Sequence, residues 1–120
     1  MTDSGDELRF ENIQSQMRKG VLEYCILLVI ARGPAYASDI LHQLKVTNLI
    51  VVEGTMYPLL SRLKGAGYLE YSWVESSAGP PRKYYRLTDK GRAALRRMAD
   101  YWVAFTTSVN TLRGTHETDV

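Results

Sequence analysis

The sequence predicts a mostly α fold with a small β-hairpin, and three observations carry that prediction. Apolar residues recur at three- and four-residue steps in three separate stretches before Gly65. Two runs rich in Tyr, Trp and Val then read as strands, Tyr68 to Val74 and Lys83 to Leu87. A last stretch places Leu95, Met98, Trp102, Phe105, Val109 and Leu112 at steps of 3, 4, 3, 4 and 3, the seam of a helix that pairs with another helix.

The first helix is expected over about residues 15–32. Met17, Val21, Leu22, Cys25, Leu28 and Val29 give its period, and Arg32-Gly33-Pro34 supplies a cationic last turn and a stop. Ile26, Leu27 and Ile30 fill its other faces, so it should be covered on most sides, in part by a partner subunit. Residues 1–14 lack a period and are expected to form an N-terminal arm, mobile or with a partial first turn.

Helix 2 is expected from Ala37 to Lys45, with Ile40, Leu41 and Leu44 as its stripe and Ser38 or Asp39 at the positive end of its dipole. Thr47 to Val52 is β-branched and apolar, a loop or very short strand. Helix 3 should begin near Gly54 or Thr55, because Pro58 is harmless only in a first turn. Met56, Leu59, Leu60 and Leu63 are its apolar face, and Gly65-Ala66-Gly67 ends it. Glu75 to Arg82 is a long hairpin tip, and Thr88 caps a final helix running to about Arg113. The chain divides into an arm (1–14), a winged helix-turn-helix (15–88), a long C-terminal dimerisation helix (89–113) and a tail (114–120).

A chain of 120 residues with 45% hydrophobic and 23% charged residues has room for one core. A domain this small buries only about two-thirds of its unfolded surface, which makes a second copy a natural cover for a long helix. The net charge of +2 hides an asymmetry. Asp3, Asp6, Glu7 and Glu11 stand against Arg9 in the first fifteen residues, a local −3 that leaves +5 on the remainder. Cys25 is the only cysteine, so no intrachain disulfide forms, and the acidic N-terminus lacks a secretory pattern; both point to the cytoplasm. The apolar run Val21 to Ala31 holds Glu23 and falls short of the roughly 20 residues that a membrane helix needs.

The order helix, helix, helix, hairpin, helix outlines a winged helix-turn-helix, in which one helix enters the major groove and the hairpin touches the flanking backbone. Helix 3 is the natural reader. At about 100° per residue, Gly54, Pro58, Ser61 and Gly65 face away from its apolar side, flanked by Thr55 and Arg62 on one edge and Tyr57 and Lys64 on the other. That face is small, polar and cationic, and it is read as free of acids. Small residues permit close approach, and Arg62 can reach guanine edges or backbone oxygens. Arg82-Lys83, after the rigid Gly79-Pro80-Pro81, suits a wing approaching phosphates.

Gly54-Thr55-Met56-Tyr57-Pro58-Leu59-Leu60-Ser61-Arg62-Leu63, then Gly67-Tyr68-Leu69, then Arg82-Lys83-Tyr84-Tyr85-Arg86-Leu87-Thr88-Asp89-Lys90-Gly91 resemble the recognition helix and wing of PadR regulators. Arg18-Lys19-Gly20-Val21-Leu22-Glu23 and Arg32-Gly33-Pro34-Ala35-Tyr36 resemble the family's first helix and following turn, so the resemblance covers about residues 17–112. Two departures stand out. Ala37 and Ser38-Asp39 replace the usual Gly and following acid after Tyr36, and the loop before helix 3 is unusually apolar. The resemblance implies a homodimer formed through the last helix, repression of neighbouring genes and release by a small molecule. The single short C-terminal helix resembles the smaller PadR subfamily, some members of which hold flat aromatic compounds between subunits. Trp102 matches the position of the ligand-stacking tryptophan in some of those regulators.

The expected DNA contacts are therefore Tyr36, Thr55, Tyr57, Ser61, Arg62, Lys64, Arg82 and Lys83, and the expected partners are a pseudo-palindromic duplex, a second copy and a planar aromatic molecule at Trp102. Cys25 reads as core rather than as a thiol sensor. His42 and His116 have no partner at metal spacing, no cofactor is implied, and no phosphate loop or Ser/Cys-His pairing suggests catalysis. Tyr68, Tyr71, Trp73, Tyr84 and Tyr85 read mostly as strand packing. A winged-helix protein-interaction module is the alternative; it would use the same fold but need no basic wing.

Overall fold

Helix propensity and local capping explain most element boundaries in the computed structural model, which describes residues 4–49 and 51–114. Helix α1 spans Ser4–Ala31, so the expected arm is helical from Ser4 onward. Its first three residues, and the tail beyond Gly114, lie outside the described residues. Residues 4–20 are all exposed, so no burial period marks them. Good helix formers such as Glu7, Leu8, Arg9, Glu11 and Gln14 carry the extension, and Asp6 and Glu7 lie in the first turn, where the dipole favours anions. Only the second half of α1 enters the core, through Leu22, Ile26, Leu27 and Ile30.

A two-residue strand β1, Ala35–Tyr36, leads into helix α2, Ala37–Val46. The Tyr36 N–H donates to the Asp39 carboxylate at 3.0 Å, a cap that accommodates the Ala37-Ser38-Asp39 variation. The segment expected as a loop or short strand after α2 begins as a helix cap. Asn48 adopts φ 64°, its N–H bonds the Lys45 carbonyl at 3.0 Å, and the Leu49 N–H bonds the Leu44 carbonyl at 2.8 Å. This Schellman motif turns Leu49 back against the core, with Val51 also packed there, so part of the apolar loop has a cover.

Helix α3 spans Glu53–Gly65 with Val52 as its N-cap. It starts one or two residues earlier than expected, which makes Pro58 the sixth residue of the helix, past the first turn. The missing proline N–H leaves the Gly54 carbonyl without its i+4 donor, and both residues lie on the exposed side. A second Schellman motif closes α3. Gly67 takes φ 84°, with Gly67 N–H to the Lys64 carbonyl at 2.9 Å and Tyr68 N–H to the Leu63 carbonyl at 3.0 Å.

Strands β2, Leu69–Ser76, and β3, Gly79–Leu87, form an antiparallel ribbon. The expected long tip is instead a two-residue turn, Ser77-Ala78, with Ser76 paired to Gly79. Pairing continues almost to the end because the irregularity sits inside the ribbon, between the Val74·Arg82 and Ser76·Gly79 pairs, where Pro80 and Pro81 have no N–H to donate. β1 adds to the other edge of β3, giving the order β1-β3-β2, a third strand too short to leave a periodic signal.

Thr88 caps helix α4, Asp89–Arg113, as expected: its hydroxyl accepts from Gly91 N–H at 2.9 Å and donates to the Gly67 carbonyl at 2.6 Å. The core gathers Ile26 and Leu27 of α1, Ile40 and Leu44 of α2, and Met56, Leu60 and Leu63 of α3, all at most 1% exposed. Leu69, Tyr85 and Leu87 close it from the sheet. The result is a mostly helical winged helix with a small antiparallel sheet and a long C-terminal helix. Among the described residues no helix is long and apolar enough to cross a membrane.

Candidate nucleic-acid interface

Strand alternation divides the wing into two chemically different faces. Tyr71, Trp73, Lys83 and Tyr85 share the face toward α3, because Trp73 pairs with Lys83 and Tyr71 with Tyr85. Arg82, Tyr84 and Arg86 share the other, with Tyr36 of β1 opposite Tyr84. The two wing cations expected to act together thus point to opposite sides of the ribbon.

On the outer face the Arg82 guanidinium lies 3.9 Å over the Tyr36 ring and donates to the Ser38 hydroxyl at 2.6 Å. Tyr36 in turn packs on Tyr84 with ring centroids 4.7 Å apart. Arg82 is therefore fixed beside the N-terminus of α2, where backbone N–H groups also favour anions. Arg86 is engaged by Glu70 at 2.9 Å.

On the inner face Lys83 sits 4.6 Å from the Tyr71 centroid and 5.5 Å from that of Trp73. Lys64 approaches the same Tyr71 ring at 5.4 Å from α3. The Lys64 and Tyr57 edge of α3 is thus the edge that meets the wing. Burial pushes the Tyr85 hydroxyl pKa up, and the neighbouring Tyr57 and Tyr71 add to the shift.

Ser61, Thr55 and Gly54 are exposed on the outer side of α3, as the helical period requires. Arg62 is not aimed into that face. Its guanidinium donates to the Glu23 carboxylate of α1 at 2.7 Å, on the side away from the wing. The earlier start of α3 also brings Glu53, an exposed acid, into its first turn, so the reading helix is not free of acids.

A cleft of about 1010 Å³ lies behind the reading helix, between α1 and α4. Tyr24, Met98, Trp102 and Phe105 contribute its apolar wall, and the Glu23–Arg62 pair its polar side. Trp102 is 38% exposed, with its ring 6.1 Å from that of Tyr24 and 6.4 Å from that of Phe105. The seam residues on α4 fall into two groups. Leu95 and Met98 pack against the core, whereas Trp102, Phe105, Val109 and Leu112 are exposed, Leu112 by 87%.

Ser38, Tyr71 and Trp73 are the members of this surface that sequence reasoning passed over. Ser38 was assigned to the helix dipole, and the aromatics to packing. Trp73 is 61% exposed, so packing does not account for it. Its position opposite Lys83 is readable only once the ribbon's register is known.

Residues 26–97 match the family described as Transcriptional regulator PadR-like family. A PadR-like transcription factor from B. fragilis is 56% identical, with a TM-score of 0.73 over 84% of this chain and 98% of that one. A PadR-like transcriptional regulator from Bacillus cereus is 40% identical, with a TM-score of 0.72 over 82% of this chain and 97% of that one. A PadR family transcriptional regulator from Eggerthella lenta is 31% identical and superposes with a TM-score of 0.79 over 95% and 96% of the two chains.

Proposed function

Because the chain belongs to the PadR-like family of transcriptional regulators, we propose that it is a ligand-responsive repressor that binds a pseudo-palindromic duplex as a homodimer. The observation that carries this reading is the placement of Lys64 and Lys83 on the edge of α3 that meets the wing and of Arg82 beside the N-terminus of α2, each held by an aromatic ring. Two copies of that surface related by a twofold axis would meet two half-sites, with Ser61 and Thr55 toward base edges and the lysines toward phosphates. Bound across a promoter, such a dimer excludes polymerase.

The cleft supports the response to a ligand. Tyr24, Trp102 and Phe105 offer ring faces to a planar aromatic molecule, and exposed seam residues beside them would bring the second copy's α4 close. A ligand that favours one angle between the two copies shifts the spacing of the reading helices, and coupling requires that its affinity differ between the two spacings.

A mobility-shift titration against the promoter region of the protein's own gene tests the reading. A discrete complex should form and weaken with salt, each neutralised phosphate adding about −0.9 to the slope of log affinity against log salt. No complex at low salt would instead favour a module that binds another protein. Adding planar aromatic compounds should quench Trp102 in a Trp73→Phe chain and alter the shift; a response that persists in Trp102→Ala would move the ligand site elsewhere.

A further inference from the structure

We propose that Tyr71 and Trp73 form an aromatic seat that gathers Lys83 of the wing and Lys64 of the reading helix into one clamp for the nucleic-acid backbone; this rests on the duplex-binding reading. A single ring, Tyr71, receives both ammonium groups, at 4.6 Å from β3 and 5.4 Å from α3. Trp73 extends the seat outward. Its ring stands edge-on to Tyr71 at 88° with centroids 5.7 Å apart, and the same Lys83 ammonium lies 5.5 Å from its centroid.

Three features distinguish this cluster from ordinary wing packing. Trp73 is 61% exposed, an expensive position for an indole that does not join the core. Among the described residues no carboxylate is paired with Lys64 or Lys83, whereas Arg62 and Arg86 on neighbouring surfaces each have one. The two cations also come from different elements, α3 and β3, so the shared ring fixes the reading helix and the wing relative to each other.

A lysine is a flexible point charge that loses rotamer freedom when it binds a phosphate. Cation–π contact pre-orders the stem while leaving the outer N–H donors free, so part of that loss is met before the nucleic acid arrives. The occupant is the duplex sugar–phosphate backbone beside the groove that α3 enters, selected by the unpaired positive charge. Trp73 is a positioning residue, because it acts through Lys83.

The test uses the full chain labelled with 5-fluorotryptophan, with the Trp73 resonance assigned by its loss in Trp73→Phe. Adding the promoter duplex should shift that resonance. Trp73→Ala should weaken duplex binding about three- to fivefold, the size of an exposed cation–π contact, and Trp73→Phe should retain most of the affinity. Lys83→Ala should flatten the salt slope by about one unit. The decisive result is non-additivity: with Lys83 already replaced, Trp73→Ala should change affinity by less than about twofold. A Trp73 resonance unmoved by saturating duplex, or additive losses, would overturn the clamp while leaving duplex binding intact. No binding by the wild type would overturn both. Circular-dichroism melting of Trp73→Ala, expected to match the wild type, separates a clamp from a folding defect.

Discussion

Arg62 shows how one side chain can be legible in type and not in orientation. Its place on an edge of the reading helix follows from the period of Met56, Leu59, Leu60 and Leu63, but its contact with Glu23 depends on how α1 crosses α3. The pair is exposed, 68% at Arg62 and 28% at Glu23, so it contributes at most about 1 kcal/mol to stability. A phosphate or guanine edge competes well against so weak a partner. Glu23→Gln should therefore leave the urea midpoint nearly unchanged and tighten duplex binding severalfold, since the guanidinium no longer has to leave a carboxylate. Fluorescence anisotropy with a labelled duplex reads this; unchanged affinity would mean that Arg62 stays on α1 when DNA binds. Cys25 offers a second expectation. Burial disfavours its thiolate and raises its pKa above the ordinary value. The folded state then holds the thiol proton more tightly than the unfolded chain. That contribution is fully present below the unfolded thiol pKa and is lost as pH rises through the folded one. Wild type should lose urea stability relative to Cys25→Ala as pH rises past the ordinary thiol value of about 8.5, and equal loss in both chains would assign the alkaline change to tyrosines such as Tyr85.

At the scale of elements, what the sequence revealed depended on whether the signal was local. Helix α4 was legible at both ends, because Thr88 and the 3,4 seam are properties of neighbouring residues. The N-terminal half of α1 was not, since a helix that is exposed all round has no burial period, only propensity. β1 pairs only Ala35 and Tyr36 with residues some fifty positions on, a contact that no window contains. The same logic hid the clamp, which needs the Trp73 to Lys83 register. Gly91 makes the junction of α3, sheet and α4 testable. A Cβ there would collide with the Tyr68 carbonyl oxygen, a backbone atom that also accepts from Thr88 N–H at 3.1 Å. Gly91→Ala should cost about 1–3 kcal/mol by overpacking, read as a lowered urea midpoint, whereas Gly20→Ala, with open space around it, should be neutral or stabilising. On the wing, Arg82→Ala and Lys83→Ala should each flatten the salt slope by about one unit, and together by about two. A change from only one of them would mean that the ribbon lies flat on the duplex and presents a single face.

The whole molecule is more extended than a compact domain of its length. Its radius of gyration is 17.4 Å and its long axis 54 Å, against about 14 Å expected for the radius of a compact domain of this size. The excess lies in two helical ends that leave the core and carry apolar residues with them. On α1, Phe10, Ile13 and Met17 fall on the side that carries Tyr24 further along, within an arc of about 60°. All three are roughly half exposed or more. On α4, Trp102, Phe105, Val109 and Leu112 continue the line of Leu95 and Met98 past the point where the core ends. A second copy whose α4 lies in the opposite sense would cover both stripes with one contact, although Ile26, Leu27 and Ile30, which suggested a partner's cover for α1, are already buried in the chain's own core. Because Leu95 and Met98 pack against the core of their own chain, a cut before α4 would strip cover from the winged helix and mix a stability defect with any loss of assembly. Truncation after Asp100 keeps them and removes only the exposed half of the seam. The truncated chain should stay folded by circular dichroism, run as a monomer in light scattering, and lose tight binding to a two-half-site duplex while keeping its salt-sensitive affinity for a single half-site. Phe105→Glu with Val109→Glu should do the same in the full-length chain. A folded truncated dimer with unaltered operator affinity would show that the two copies meet through another surface.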